Sequence, residues 1–105
     1  MRALFEDILA IEDVHGVFFV SLRGNLIFRE FDASFSDHLD LIDWPVFVDA
    51  FSGIREAELV YRDRRIFFRS TELGYVFIVM GWYAHIALVR LNCSQALPMS
   101  AIKPD

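Results

Sequence analysis

The stretch that decides the fold is Tyr75–Met80, YVFIVM, which has no charged residue and is apolar at every position on both faces of a strand. Val17–Leu22, VFFVSL, has the same character apart from Ser21. A strand that is apolar on both faces is typical of the middle of a sheet covered on both sides. We therefore expect these two strands to be neighbours at the centre of a sheet with helices on both faces.

The other predicted strands lie outside this central pair. Leu26–Phe31 returns after Arg23-Gly24-Asn25, a turn in which Gly and Asn tolerate positive φ. Ala57–Arg62 and Arg65–Ser70 flank a second tight turn at Asp63-Arg64. Consecutive strands usually pair, so each central strand carries its hairpin neighbours outward. The result is an antiparallel five-stranded sheet with the spatial order 2-1-5-4-3.

Three helices are predicted around the sheet. Residues 2–12 carry apolar side chains at helical spacing, which predicts the first helix. Gly16, which follows shortly after, is the predicted helix breaker. Asp43-Trp44-Pro45 is a good helix start, because Asp caps free N–H groups and Pro fits the first turn. Residues 84–97 suit a helix, although 86–89 also suit a strand. With the helix, the chain is one α+β domain, 1–105, with the order αββαβββα.

Composition excludes several classes of protein. The 105 residues are 55% hydrophobic and 15% aromatic, which excludes an intrinsically disordered chain. The net charge of -5 argues against nucleic-acid binding, which needs a basic face. A mean hydropathy of +0.38 is high for so small a domain. We therefore expect a second copy or a partner to cover part of the surface.

The sequence predicts neither a targeting segment nor a membrane span. Acidic residues stand near the N-terminus, where the apolar region of a signal peptide would lie. Residues 73–89 are uncharged but fewer than the roughly 20 residues that a span requires. Gly81 also divides this stretch into two elements. A cytoplasmic location is the expectation.

Strand Ala57–Arg62 lies at the edge of the predicted sheet, with unpaired backbone groups and no proline to block pairing. A second copy could pair here antiparallel, which predicts a two-fold dimer with one ten-stranded sheet. The same contact would bring the helices that begin at Trp44 side by side. The predicted dimer interface comprises Glu58, Leu59, Val60, Tyr61 and Arg62 on the strand, and Trp44, Phe47, Val48 and Phe51 on the helix.

No catalytic motif is found, so the sequence predicts neither an enzyme nor a resident cofactor or metal. Phosphate-binding loops, dinucleotide fingerprints, HExxH and GxSxG are all missing. Cys93 is the only cysteine, which excludes an internal disulfide and a CxxC zinc site. Its position on the apolar face of the last helix favours a buried hydrophobe over a nucleophile.

Two polar clusters leave alternatives open. A solvated loop explains the first, and a cation site would use the same side chains: Asp37, His38, Asp40 and Asp43. The second is at the hairpin tip and suits either a solvated turn or contact with an acidic or phosphorylated partner: Arg62, Arg64 and Arg65.

The chain resembles the roadblock/LC7 family over about residues 4–97. Three segments carry the resemblance: Val14-His15-Gly16-Val17 with the strand and glycine turn that follow, residues 58–79 with their three strands, and Ala84–Arg90. The last segment looks like the opening of the final helix of the family and so favours a helix there. The middle helix is shorter than is usual in the family.

The resemblance implies a small dimeric module that binds a Ras-like GTPase or acts as a scaffold, without an active site of its own. Some bacterial members of the family activate a GTPase. Such activation would work by arranging the catalytic groups of the GTPase, because phosphoryl transfer depends mainly on positioning and electrostatics. The alternative is a small ligand-binding or sensory domain, because profilin-like and PAS-like sheets can enclose ligands.

Overall fold

The computed structural model describes residues 2–31, 44–61 and 64–96. The elements are α1 Arg2–Leu9, β1 Val14–Val20, β2 Leu26–Phe31, α2 Trp44–Ala50, β3 Glu56–Tyr61, β4 Arg64–Ser70, β5 Tyr75–Met80 and α3 Ile86–Ala96. They follow the predicted order αββαβββα.

The five strands form one antiparallel sheet in the order β2-β1-β5-β4-β3, as the sequence predicts. The two strands without charged residues are adjacent at its centre, with Val17 opposite Ile78 and Phe19 opposite Val76. All four of these residues are buried. These four lie on one face, and Phe18 and Phe77 are buried on the other. Both strands are thus covered on both sides, which is the physical reason for the sheet order.

Helices cover both faces of the sheet. On the first, here called the α3 face, Phe5 and Ile8 of α1 and Val89 and Cys93 of α3 pack over the central strands. On the second, the α2 face, helix α2 packs against the cluster that includes Phe68 and Phe77 of the sheet. The division of three helices between two faces confirms the layered α+β architecture.

The junction between α1 and β1 differs from the prediction. The helix ends at Leu9, and Asp13 makes the turn with a φ of 67°. Asp tolerates this left-handed conformation better than most residues. Gly16 therefore does not end the helix but lies inside β1. A Cβ atom there would overlap the Phe31 ring of β2, so the glycine permits close strand packing.

The last element is a helix, so the alternative of a strand over 86–89 is wrong. It begins at Ile86, after a turn that follows β5. The uncharged stretch 73–89 is thus shared between β5, this turn and the start of α3. Among the described residues, no helix has the length and apolar character to cross a membrane.

Candidate interaction surface

Strand β3 is one edge of the sheet. In the described part of the chain, its six residues pair with β4 alone, from Glu56 opposite Arg69 to Tyr61 opposite Arg64. The outer side of β3 therefore presents backbone N–H and C=O groups to a further strand. This edge was predicted from the order of apolar strands, and the sheet order confirms its position.

The two faces of β3 differ in chemistry. Ala57 and Leu59 are half-buried and pack against the core of the α2 face. Glu56, Glu58 and Val60 alternate with them and so lie on the α3 face. Val60 is 63% exposed, although its side chain is apolar. The edge thus has an apolar α2 face and an α3 face that carries two carboxylates and one exposed valine.

Arg65 connects this edge to the turn between β5 and α3. Its Nε donates to Glu58 Oε2 at 2.7 Å. Its Nη1 donates to the carbonyl oxygens of Gly81 at 3.0 Å, Trp82 at 3.1 Å and Ala84 at 3.1 Å. The hairpin arginines were predicted to be a solvated turn or a contact for an acidic partner. Arg65 is neither, because it is buried and its Nε and Nη1 donate inside the domain.

A second ionic cluster ties the edge to α3. The carboxylate of Glu56 accepts from Arg69 Nη1 at 3.2 Å and from Arg90 Nη2 at 2.7 Å. Arg69 is buried in the sheet, whereas the side chain of Arg90 is 56% exposed on the helix. Glu56 therefore bridges a buried arginine of β4 and an exposed arginine of α3.

Cys93 lies beneath this second cluster and is fully buried. Burial raises the pKa of the Cys93 thiol to about 11, and the nearby Arg69 guanidinium only partly opposes that effect. The thiolate is the nucleophilic form of cysteine, so this residue is unreactive near neutral pH. The prediction of a buried hydrophobe at this position is confirmed.

Open clefts lie between β3 and α3. One, of about 200 Å³, is lined by Glu56, Ala57, Glu58, Phe67, Ile86 and Arg90. A neighbouring one shares Glu56 and Arg90 and includes Leu91 and Ser94 of α3 in its lining. The α3 face of the edge is therefore concave and charged beside the helix. A partner that extends the sheet would also form a wall of this cleft.

The turn between β5 and α3 is held from the opposite side by Asp13. The backbone N–H of Tyr83 donates to Asp13 Oδ2 at 2.8 Å, and that of Gly81 donates to the Asp13 carbonyl oxygen at 2.9 Å. Trp82 and Tyr83 are 55% and 82% exposed on this turn. Sequence reasoning missed both Asp13 and Arg65 as anchors of the turn. Its one signal was Gly81, which was taken only as a break between elements.

The predicted interface residues of α2 have a role inside the domain. Val48 and Phe51 are buried against the sheet, and the Phe51 ring stacks on Phe68 at 4.7 Å between centroids. Trp44 and Phe47 belong to α2, but the part of the chain that the structure describes does not include their side chains or that of Tyr61. Whether any of these residues meets a second copy stays a prediction.

Some predicted residues lie outside the described residues altogether. They are Arg62 at the hairpin tip and the candidate cation ligands Asp37, His38, Asp40 and Asp43. Within residues 2–31, 44–61 and 64–96, no group of three or more His, Cys, Asp or Glu side chains is placed to hold a metal ion.

The comparisons with known proteins identify the fold. No protein-family profile and no curated protein matches the sequence. A solved structure of MglB with a tetrameric arrangement has a TM-score of 0.71 at 12% identity, covering 90% of this chain and 79% of that chain. The gliding protein MglB of Thermus thermophilus gives 0.69 at 13% identity, covering 90% and 80%. A roadblock/LC7 domain from Streptomyces avermitilis gives 0.65 at 12% identity, covering 91% and 87%. The chain therefore has the roadblock/LC7 fold, as its sequence resemblance implies.

Proposed function

We propose that this protein is a homodimeric roadblock/LC7-type module that binds and regulates a Ras-like small GTPase in the cytoplasm. The observation that carries the proposal is the open edge strand β3 within a roadblock/LC7 fold. The family resemblance implies the class of partner. The similarity to MglB structures, one of them in a tetrameric arrangement, supports a protein that assembles with further chains.

Self-association through β3 accounts for several features of the surface. Antiparallel pairing of two β3 strands would satisfy the backbone groups on both edges and cover the exposed Val60. It would also cover apolar surface of the kind that the mean hydropathy of +0.38 indicates. The proposed contacts on the strand are Glu58, Leu59, Val60, Tyr61 and Arg62.

Helix α2 is the second part of the proposed interface. Val48 and Phe51 hold this helix on the sheet, so they would support the interface from inside the domain. We assign the direct helix contacts to Trp44 and Phe47, which the sequence places on the same helix.

The proposed regulation needs no catalytic group from this chain. A partner that orders the catalytic residues of a GTPase can accelerate phosphoryl transfer strongly, because that chemistry depends on positioning and charge stabilisation. The inert thiol of Cys93 agrees with a non-enzymatic role. A GTPase-activating role and a scaffold role differ in their dependence on the bound nucleotide.

The dimer is tested by mass in solution. Light scattering coupled to gel filtration at micromolar concentration should give twice the monomer mass of 12.2 kDa. Val60→Asp should shift the protein towards monomer, because it adds a charge to the seam. Leu88→Asp is the matched control, since Leu88 is 46% exposed on α3 and lines neither cleft beside β3. A wild-type monomer would overturn the proposed assembly.

The partner class is tested by affinity capture in two nucleotide states. The tagged protein is incubated with lysate of its source cells, with either a non-hydrolysable GTP analogue or GDP. A Ras-like GTPase enriched only with the GTP analogue supports a regulator, and a hydrolysis assay with the purified pair then measures activation. Equal enrichment in both states supports a scaffold. Recovery of a dimer without any GTPase would remove the proposed partner and leave the assembly standing.

A further inference from the structure

We infer that two copies of the chain join their β3 strands antiparallel with Leu59 of one copy directly opposite Leu59 of the other. This inference rests on the proposed dimer and specifies which residues meet in it. The observations behind it are the length of β3, the alternation of its side chains between two faces, and the placement of its two carboxylates.

Symmetry restricts the pairing to a few arrangements. A two-fold axis perpendicular to a continuous sheet keeps each face on its own side, so two opposed residues must belong to the same face of the strand. Side chains alternate between faces, so opposed positions differ by an even number. One residue therefore lies opposite its own copy at the axis. Strand β3 has six residues, Glu56–Tyr61. An axis at Glu58 pairs residues 56–60, and an axis at Leu59 pairs residues 57–61. Every other axis within Glu56–Tyr61, the described extent of the strand, pairs fewer of these residues.

The carboxylates distinguish these two arrangements. An axis at Glu58 places the Glu58 side chains of the two copies directly opposite each other, and like charges in that position are destabilising. Each Arg65 reduces this repulsion through its ion pair with Glu58 at 2.7 Å, but the Glu58 side chain is 39% exposed, so the two carboxylates would still meet. An axis at Leu59 instead places Glu58 opposite Val60 of the second copy, so no two carboxylates face each other.

The apolar residues favour the same arrangement. With the axis at Leu59, the two Leu59 side chains meet on the α2 face, where each is already half-buried against its own core. Ala57 then lies opposite Tyr61 of the second copy. On the α3 face, Val60 of the second copy comes beside the Glu58–Arg65 ion pair and forms part of the wall of the cleft at α3.

Cysteine cross-linking measures the register directly. Opposed Cα atoms in an antiparallel pair are about 4.5–5.5 Å apart, within the range that a disulfide spans. Residues displaced by two positions exceed that range, because each residue adds about 3.4 Å along the strand. The native Cys93 is buried, so the wild-type protein is the background control.

Three single variants are oxidised at equal concentration and analysed on non-reducing gels. Leu59→Cys should form a covalent dimer at least about tenfold faster than Glu58→Cys or Val60→Cys, whose own copies are out of disulfide range. Preferential cross-linking of Glu58→Cys would overturn the assigned register. That variant also removes the carboxylate on which the argument depends, so a second comparison is needed.

The second comparison retains Glu58. A mixture of Ala57→Cys and Tyr61→Cys chains should cross-link between the two variants, because these positions face each other when the axis is at Leu59. A mixture of Glu56→Cys and Val60→Cys chains cross-links instead when the axis is at Glu58, which would overturn the inference. The native mass of each variant is measured first. A monomer refutes the proposed dimer itself, whereas a dimer that cross-links in neither comparison refutes only the pairing through β3.

Discussion

Replacement of Arg65 by methionine should destabilise the domain far more than the same replacement at Arg90. Arg65 is buried, and it donates to Glu58 and to three backbone carbonyl oxygens at 3.0–3.1 Å. Methionine keeps most of the volume of the side chain and removes every donor. The carbonyl groups of the turn after β5 would then be left with fewer partners, and Glu58 would lose its counter-ion.

The size of the effect follows from these contacts. Nη1 carries two hydrogens for three acceptors, so it supplies about two charge-assisted hydrogen bonds, each contributing about 1.5–3 kcal/mol. The Glu58 side chain is 39% exposed, so the loss of its counter-ion adds only about 0–1 kcal/mol to this cost. We therefore expect the free energy of unfolding to fall by about 3–5 kcal/mol. At about 4–5 °C per kcal/mol for a domain of this size, Tm falls by roughly 12–25 °C.

Arg90→Met is the matched control. The Arg90 side chain is 56% exposed and bonds only Glu56 among the described contacts, and Glu56 also accepts from Arg69. Exposed ion pairs contribute about 0–1 kcal/mol, so this variant should stay close to wild type. Both variants are unfolded thermally and in urea at one protein concentration, because self-association makes Tm depend on concentration. A loss in Arg65→Met no larger than that in Arg90→Met would refute the role assigned to Arg65.

Three further outcomes are expected. Wild type should lose stability relative to Cys93→Ala as pH rises from 9 to about 11. The thiol of the unfolded chain ionises near pH 9, whereas burial keeps the pKa of the native thiol near 11. If the difference in unfolding free energy between the two proteins, measured in urea, did not change with pH, this prediction would be contradicted. Gly81→Ala should lower the free energy of unfolding by about 1–3 kcal/mol, because the new Cβ overlaps the Asp13 carboxylate that bonds the turn. The loss should be smaller in an Asp13→Ala background, which a double-mutant cycle measures. Equal losses in the two backgrounds would exclude that contact. Phe51→Ala, directly after α2, should cost about 3 kcal/mol, since the ring packs on Phe68 and Phe77. Val46→Ala, at an exposed position within α2, should cost under about 0.5 kcal/mol. Similar losses in both would refute the packing of this segment on the sheet.

The sequence was informative where burial follows a local pattern. Tyr75–Met80 has no charged residue, and such a strand is stable only when covered on both sides, so its central place could be predicted without the structure. The amphipathic spacing of α1 and the exposed return strand β2 were accessible in the same way. The roadblock/LC7 resemblance then supported the helix at residues 84–97, where periodicity alone allowed either structure.

The predictions failed where a residue acts through distant partners. Asp13 and Tyr83 are 70 positions apart in sequence, yet the carboxylate of one accepts from the backbone of the other. Gly16 was expected to end a helix because glycine often does so, whereas close packing of β1 against Phe31 is what requires it. In each case the cause is a contact that only the packed sheet creates.

The sequence by itself determined the class of the fold, the order of the strands and the edge at β3. These depend on how apolar and charged residues alternate along short segments, and burial selects that alternation. Only the tertiary structure decided that Arg65 is buried while Arg90 is exposed. Arg65 follows a charged turn and Arg90 stands between Val89 and Leu91, so the local sequence suggests the reverse. Their difference arises because folding brings the carbonyl groups of Gly81, Trp82 and Ala84 to Arg65, and hydrogen bonds of that kind are what allow a charge to leave water.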